Sequence, residues 1–436
     1  MGLRLVFIWV GAKIFMPKMQ ETSTLLDKLI APLKPLILRS NKTRNCPVLE
    51  DEKWITTGLL RVLSSELSSR GFLQQLSDQF QMIIPGSSFF KTLRSVRRLD
   101  FCQHLNEAFA QSYKSPKSDP LSGFASLQTY DLYAGDGHYR AAATHDKKIG
   151  EKKYAVGHFY TLNLRTHMLT HLDSMVDEPG RKKEHDMHLL KRMSIRQLRQ
   201  GAPKGRKVLY VWDKAGIDLH QWFKWKKGSA IYFISLEKEN MKLRPMGLTE
   251  FDLKASINAG VLADELVGQD NGAMIRRIKY QCPDSGKVFA FITNVMDVEP
   301  GLIAHLYKLR WNIDKIFDEL KTKLTEKKAW ASTTVARNTQ ANFTCLLHNL
   351  MVSLEEELSE NSDLCDKREI TRRKNRHKEL IQRVKESGKQ LPLAQQIVPQ
   401  ATQRTLRFIR WLRNHCWIQA SWPQAQTALK RIYATC

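Results

Sequence analysis

The 436-residue chain has seven cysteines, Cys46, Cys102, Cys282, Cys345, Cys365, Cys416 and Cys436, and none forms a Cys-x-x-Cys pair. That scatter excludes a disulfide framework and a zinc knuckle and fits reduced thiols in a cytosolic protein. No Gly-x4-Gly-Lys-Ser/Thr loop occurs, which argues against a nucleotide-driven motor. Long apolar runs are missing as well. The N-terminal stretch between Arg4 and Lys13 spans eight residues, short of the roughly 20 that a bilayer requires, and it has no clear small-x-small cleavage site. Residues 1–15 read either as a buried segment or as an extension from an upstream start, with Met16 or Met19 opening a more polar helix. Neither a membrane span nor a secreted form is expected.

Acidic residues are scarce: 44 Asp and Glu face 69 Lys and Arg, a net charge of +25. Such an excess points to a polyanionic partner. It is concentrated at the end of the chain, where residues 366–436 hold 16 Lys/Arg and 4 Asp/Glu. That tail is a candidate nucleic-acid surface; the alternative is a solvated basic face. The hydrophobic share of 42% and charged share of 26% are those of a folded globular protein. At about 100–200 residues per domain the length allows two to four domains.

Apolar residues recur at helical spacing from about Gln20 to Tyr113. Within that region Phe89–Leu99 sets bases beside aromatics, which suits either a DNA-binding helix or a core helix with a wet basic side. Residues 115–122, rich in Pro, Ser and Lys, read as a linker. Strands are predicted at Thr129–Tyr133, Tyr154–Asn163, His167–Met175, Lys207–Trp212 and Ala230–Leu236, with helical stretches at Lys182–Leu198 and Asp218–Lys227. Two further strands follow, Met274–Tyr280 and Lys287–Val295. A helix is then expected from Pro300 to Lys323 and another over Thr334–Leu358. The order of elements describes an α/β protein with a mixed sheet between helical regions. In the tail, Arg404, Arg407, Arg410 and Arg413 predict a helix with a narrow basic stripe.

Three acidic positions stand where a sheet delivers side chains to one edge. Asp136 follows the first strand between two glycines, which permit close approach of a ligand. Asp213 ends the run Val208–Trp212, and ligands gather at such strand ends. The third lies on the helix ending at Lys323. There Tyr307, Arg310, Asp314 and Lys321, separated by three, four and seven residues, share one face. A turn or cap is the usual role of a single Asp. Together, carboxylates on two strands and a helix can hold two divalent cations roughly 3.5–4 Å apart for phosphodiester cleavage, and Mg²⁺ suits an oxygen-only site.

The signature Tyr-x2-Arg-x3-Glu-x6-Lys, with Trp after the Arg, is matched here by Tyr307, Arg310, Trp311, Asp314 and Lys321. On these residues the chain resembles the DDE transposases of bacterial insertion sequences, in particular the IS-four-type group, over about residues 125–350. Asp136-Gly137 and the strand-ending Asp213 also match. The resemblance implies an RNase H-like catalytic domain over 126–355 with a β-rich insertion at about 238–298. A helical DNA-binding region (1–114), a linker (115–125) and a basic helical C-terminal region (356–436) complete the expected chain.

It further implies catalysis by Asp136, Asp213 and Asp314 holding two Mg²⁺ ions, with Mn²⁺ as the alternative. Tyr307, Arg310 and Lys321 would contact double-stranded DNA at element ends and target. A homodimer in the bacterial cytoplasm, associated with the nucleoid, is the expected working form. The family's Glu is replaced by the shorter Asp314, which leaves open a copy that only binds DNA, or a related nuclease. Asp318 shares the face of Asp314, whereas Glu319 would be rotated by about 140° in a regular helix; Asp314 is taken as the third acid and Glu319 as its reserve. His167 and His171, placed in one strand, are too far apart for one ion, and the tryptophans near bases are read as core.

Overall fold

A computed structural model describes residues 23–434, except 41–43, 45–48, 65, 67, 116, 118, 149–150, 177–183, 269–273 and 325. The expectation for residues 1–15 lies outside the described residues. Helices come first: α1 (Leu25–Ile30), α2 (Lys34–Arg39), α3 (Asp51–Leu63), α4 (Ser69–Phe80), α5 (Gly86–Thr92) and α6 (Val96–Ser112). Of these, α1, α3 and α6 pack on the long helix described below as α12, where Phe343 fills the space beside Gly58 and lies 4.8 Å from the Trp54 ring. Of the four bases in the Phe89–Leu99 segment, Lys91 and Arg94 are exposed, whereas Arg97 pairs with Asp51 at 2.8 Å and Arg98 is buried beside it, the pattern of a core element with a wet basic side.

The sheet contains β1 (Tyr130–Arg140), β2 (Val156–Asn163), β3 (Leu169–Ser174), β4 (Lys207–Val211), β5 (Ile231–Leu236), β6 (Arg244–Leu248), β7 (Val261–Gly268), β8 (Met274–Gln281) and β9 (Val288–Thr293). Their spatial order is β3-β2-β1-β4-β5-β9-β8-β7-β6. β1 runs antiparallel to β2 and parallel to β4, and β4 runs parallel to β5. This mixed sheet with helices is the α/β architecture expected, consistent with an RNase H-like domain. Strands β6–β9 extend the same sheet from β5 through an antiparallel β5–β9 pair.

Between β3 and β5 lie α7 (Asp186–Arg192), α8 (Ile195–Leu198) and α9 (Leu219–Ser229). The single helical stretch expected at Lys182–Leu198 is divided because Ser194 caps a new helix in a reciprocal pair with Gln197. His167 and His171 do not share a strand: His167 sits in the β2–β3 turn at φ 56°, and His171 lies in β3 against His158 at 3.0 Å.

After the sheet come α10 (Pro300–Leu309), α11 (Trp311–Asp318), α12 (Thr334–Ser362), α13 (Lys367–Glu386), α14 (Leu393–Gln396), α15 (Leu406–Trp417) and α16 (Trp422–Ala434). The basic stripe expected on α15 is mostly internal. Arg404 is buried ahead of the helix against Glu355, Arg407 pairs with Asp366, and Arg413 donates to the carbonyls of Leu63 and Lys323. Packing demand accounts for this: Phe408, Ile409, Trp411 and Leu412 are buried, and arginine stems lie down beside them. Trp222, Trp225, Trp411 and Trp417 are core residues, as expected.

Candidate active site

The sheet's pleat and register bring the first two aspartates together. Ala134 of β1 is level with Val211 of β4, and both face the same hydrophobic core. Two residues on along parallel strands, Asp136 and Asp213 therefore stand side by side on that face. The expected end of the first strand at Tyr133 is corrected: β1 continues to Arg140, so Asp136 lies inside the strand, opposite Tyr160 of β2. Gly135 is tightly covered there: a Cβ would lie 3.3 Å from the Phe159 ring, which would have to give by a few tenths of an ångström. Asp213 leaves β4 and caps a short 3-10 turn, accepting from the Ala215 N–H at 2.7 Å.

Helix α11 packs on the same face. Ile313, Ile316 and Phe317 are buried in that core, and Phe317 stacks on His138 with ring centres 4.6 Å apart. Its neighbouring face carries Arg310 and Asp314 to the aspartates. Arg310 Nη1 lies 3.0 Å from Asp136 Oδ2 and 3.3 Å from Asp314 Oδ2. One guanidinium thus bridges the strand acid and the helix acid. Tyr307 packs on Phe291 at 5.1 Å beside Arg310, and the exposed Trp311 ring lies 5.2 Å from the guanidinium carbon.

The expected single helix to Lys323 is corrected in two places. It is interrupted at Arg310, where the hydrogen bonds tighten to i→i−3, and it opens into a π-turn over Glu319–Lys323. Tyr307, Arg310 and Asp314 still converge. Lys321 is carried beyond the regular face and is exposed on the side of His138, whose pKa its charge helps to lower.

The reserve acid Glu319 points away from the cluster. It is fully buried, 2.9 Å from His348 Nδ1, and it accepts from the Arg404 N–H. These bonds hold its carboxyl below the ordinary range against the opposing effect of burial. Asp318 accepts from Gln403 at 3.1 Å and likewise faces the tail.

The electrostatics are those of crowded carboxylates. Burial raises Asp136 to about 7; Arg310 and the Gly137 N–H oppose this, and the Asp213 and Asp314 charges reinforce it. Asp314 is raised by burial and by Asp213, with Arg310 opposing. Burial, then Arg140 and Lys321, lower His138 to about 3, so its ring is neutral at pH 7.

A fourth carboxylate escaped the sequence reading. Asp186, in the first turn of α7, comes round from the other face of the sheet; its Oδ1 is 3.7 Å from where a Cβ on Gly137 would sit. Burial and the charges of Asp213 and Glu184 raise it to about 6. The available signal was its position after β3, at the start of a helix flanking the same sheet.

An oxygen-rich, electron-rich cluster of this kind suits divalent cations. Asp314 Oδ2 is buried without a hydrogen-bond donor, and the guanidinium of Arg310 stands as counter-charge to it and to Asp136. Among the described residues no three His, Cys, Asp or Glu side chains are yet close enough to enclose one ion. Asp136, Asp213 and Asp314 fit such ions by charge and donor type. Among the described residues no helix is long and apolar enough to cross a membrane.

No curated protein matches the chain. Residues 134–350, the span from β1 at Ala134 to α12 that holds all three aspartates, match the transposase DDE domain, a family that generally depends on divalent metal.

Proposed function

We propose that this protein is a DNA transposase that cuts at the ends of an insertion sequence and joins them to target DNA by metal-dependent phosphoryl transfer. The observation that carries the reading is the strand register that sets Ala134 level with Val211, two residues before Asp136 and Asp213, with Asp314 tied to Asp136 through Arg310. Asp136, Asp213 and Asp314 would hold two Mg²⁺ ions, or Mn²⁺. When bound, such a pair supplies charge neutralisation to the attacking and leaving oxygens of the phosphodiester.

The chain's own side chains bind and orient the DNA. Arg310, which here spans Asp136 and Asp314, would grip a phosphate in the fork geometry that guanidinium allows, were those carboxylates to hold metal. Tyr307, packed beside it, directs its hydroxyl to the same backbone, and Lys321 holds the strand further along. Water or a freed 3′-hydroxyl attacks directly, so no covalent protein intermediate is needed. Residues 1–114 would recognise the ends and 356–436 would bind DNA or pair protomers. Two ends brought together call for a homodimer, acting in the bacterial cytoplasm at the nucleoid.

The shorter Asp314, already held by Arg310, favours one second reading: a decayed transposase that binds ends without cutting. The experiment is strand cleavage of the flanking inverted repeats with Mg²⁺. Cleavage and strand transfer, abolished in Asp136→Ala and in Asp213→Ala while binding persists, are expected. Binding without metal-dependent nicking selects the second reading, and nicking without strand transfer points to a nuclease.

A further inference from the structure

On the far side of α11 from the aspartates lies a cavity of about 880 Å³, bounded by α10, α11, α13 and residues 394–407. Lys308, Asn312 and Lys315 follow one another at i, i+4 and i+7 and line it, about 80–140° around the helix from Tyr307. Eight Lys or Arg side chains face this space against two acids, Asp366 and Glu369.

The two acids are already engaged. Asp366 takes Arg407 at 2.8 Å, and Glu369 takes Arg376 at 3.3 Å and Arg372 at 3.7 Å. Lys308 and Lys315 instead donate to neutral amides, Gln395 at 2.8 Å and Asn312 at 3.1 Å. Lys308 and Arg376 are near enough to Lys315 for their charges to oppose its own. Two buried lining atoms, His305 Nδ1 and Arg373 Nε, have no hydrogen-bond partner among the described residues. A buried polar atom without a partner is costly unless a ligand meets it, and Lys308, Lys315 and Arg376 stand exposed along the wall, open to an anion.

Apolar side chains share the wall with neutral polar ones: Leu309 and Leu380 are half-buried, and Ile397 and Val398 are exposed at 40% and 38%. The volume is that of a small-molecule site, roughly 300–1,000 Å³, and duplex DNA does not fit.

We propose that this cavity binds a small phosphorylated organic anion of nucleoside-diphosphate size. Its phosphates meet Lys308, Lys315 and Arg376, and its uncharged part lies on Leu309, Ile397 and Val398. The site is separate from the carboxylate cluster and does not depend on the transposase reading. It presses on the same helix from the opposite side, so an occupant would brace α11 against the sheet.

The test is calorimetric titration of the full chain, in EDTA and at fixed ionic strength, with ADP and with pyrophosphate. Saturable one-to-one binding of ADP is expected, weaker for pyrophosphate. Lys308→Gln with Arg376→Gln should weaken ADP at least tenfold. Arg383→Gln, whose side chain pairs with Asp284 at 2.8 Å outside the cavity, should leave it unchanged. If the double variant fails to fold, Val398→Glu decides, since it adds a like charge at an exposed rim position and should abolish ADP binding. No saturable heat with ADP overturns the proposal, as does unaltered binding in the folded variants. Equal affinity for pyrophosphate overturns the apolar half of the site. Displacement of ADP by a tighter-binding single-stranded oligonucleotide overturns it in favour of a DNA strand.

Discussion

Asp136→Asn should make the metal-free protein more stable above neutral pH. The carboxyl is held near pH 7 by burial and by two neighbouring acids. Its side chain is only 19% exposed, so solvent screening is limited. A carboxyl whose folded pKa lies above its unfolded value binds its proton more tightly when folded. Stability therefore falls as pH rises from the unfolded value of about 3.9 through 7, and then levels off. At about 1.4 kcal/mol per unit, the whole shift sets an upper bound of about 4 kcal/mol. Asparagine has the shape of the protonated acid and carries no such penalty. The expected gain at pH 8 is about 2–4 kcal/mol, shrinking to about 1 kcal/mol or less at pH 4.5.

Urea unfolding in EDTA at both pH values measures the difference, and effects of other titrating groups cancel between the two proteins. Mg²⁺ should then stabilise the parent by about 2.7 kcal/mol at a hundredfold excess over its dissociation constant, and the variant far less. A variant no more stable than the parent at pH 8, or equally stabilised by Mg²⁺, refutes the assignment of Asp136 as a charge held in reserve for metal.

Two further perturbations address the scaffold. Glu319→Ala strands His348 and the Arg404 N–H in a buried site and should cost about 3–5 kcal/mol in urea unfolding. Glu319→Gln should cost less and leave the Mg²⁺ response intact; losing that response would return Glu319 to the active site. Gly301→Ala places a Cβ 1.9 Å from the Ile257 carbonyl oxygen, a backbone atom that cannot swing aside. A loss of about 3 kcal/mol is expected, and parental stability would show that the turn at 256–258 yields.

The parts of the site that sequence spacing revealed are those fixed by local geometry. Asp213 was legible because an apolar run stops at it, and Arg310 and Asp314 because i and i+4 meet on any helix. What was misread depends on distant partners. Gly135 and Gly137 argue against a strand, yet β1 persists because β2 supplies the ladder and Phe159 covers Gly135. The π-turn after Asp318 is tied to Glu319, whose partners His348 and Arg404 are 29 and 85 residues away. Asp186 reaches the cluster only because α7 folds back over the sheet, which no local pattern announces. The arginines in and just before α15 looked like a DNA-facing stripe, but Arg413 donates to a carbonyl of α3, Arg404 pairs with Glu355 of α12, and Arg407 with Asp366 at the cap of α13.

The replacement of Glu by Asp at position 314 bears on whether the proposed enzyme retains its reach. A missing methylene matters only if the helix stands where a glutamate would have held it. Here α11 lies close against β1, with Phe317 stacked on His138 and 5.6 Å from Tyr160. One nitrogen of Arg310 touches an oxygen of each acid. The two oxygens are therefore no further apart than those contacts permit, a gap comparable with the roughly 3.5–4 Å between paired metals plus their ligand bonds. The close seat of the helix thus offsets the short side chain. The remaining obstacle is Arg310 itself, which must exchange two carboxylates for a phosphate. That exchange costs little when metal takes the carboxylates as DNA takes the arginine, and much when either arrives alone. Metal binding and DNA binding should accordingly strengthen each other, a reciprocal coupling that Mn²⁺ titrations with and without the cognate ends would measure. Independence of the two would show that Arg310 is a fixed structural cation and that Asp314 does not serve the metals.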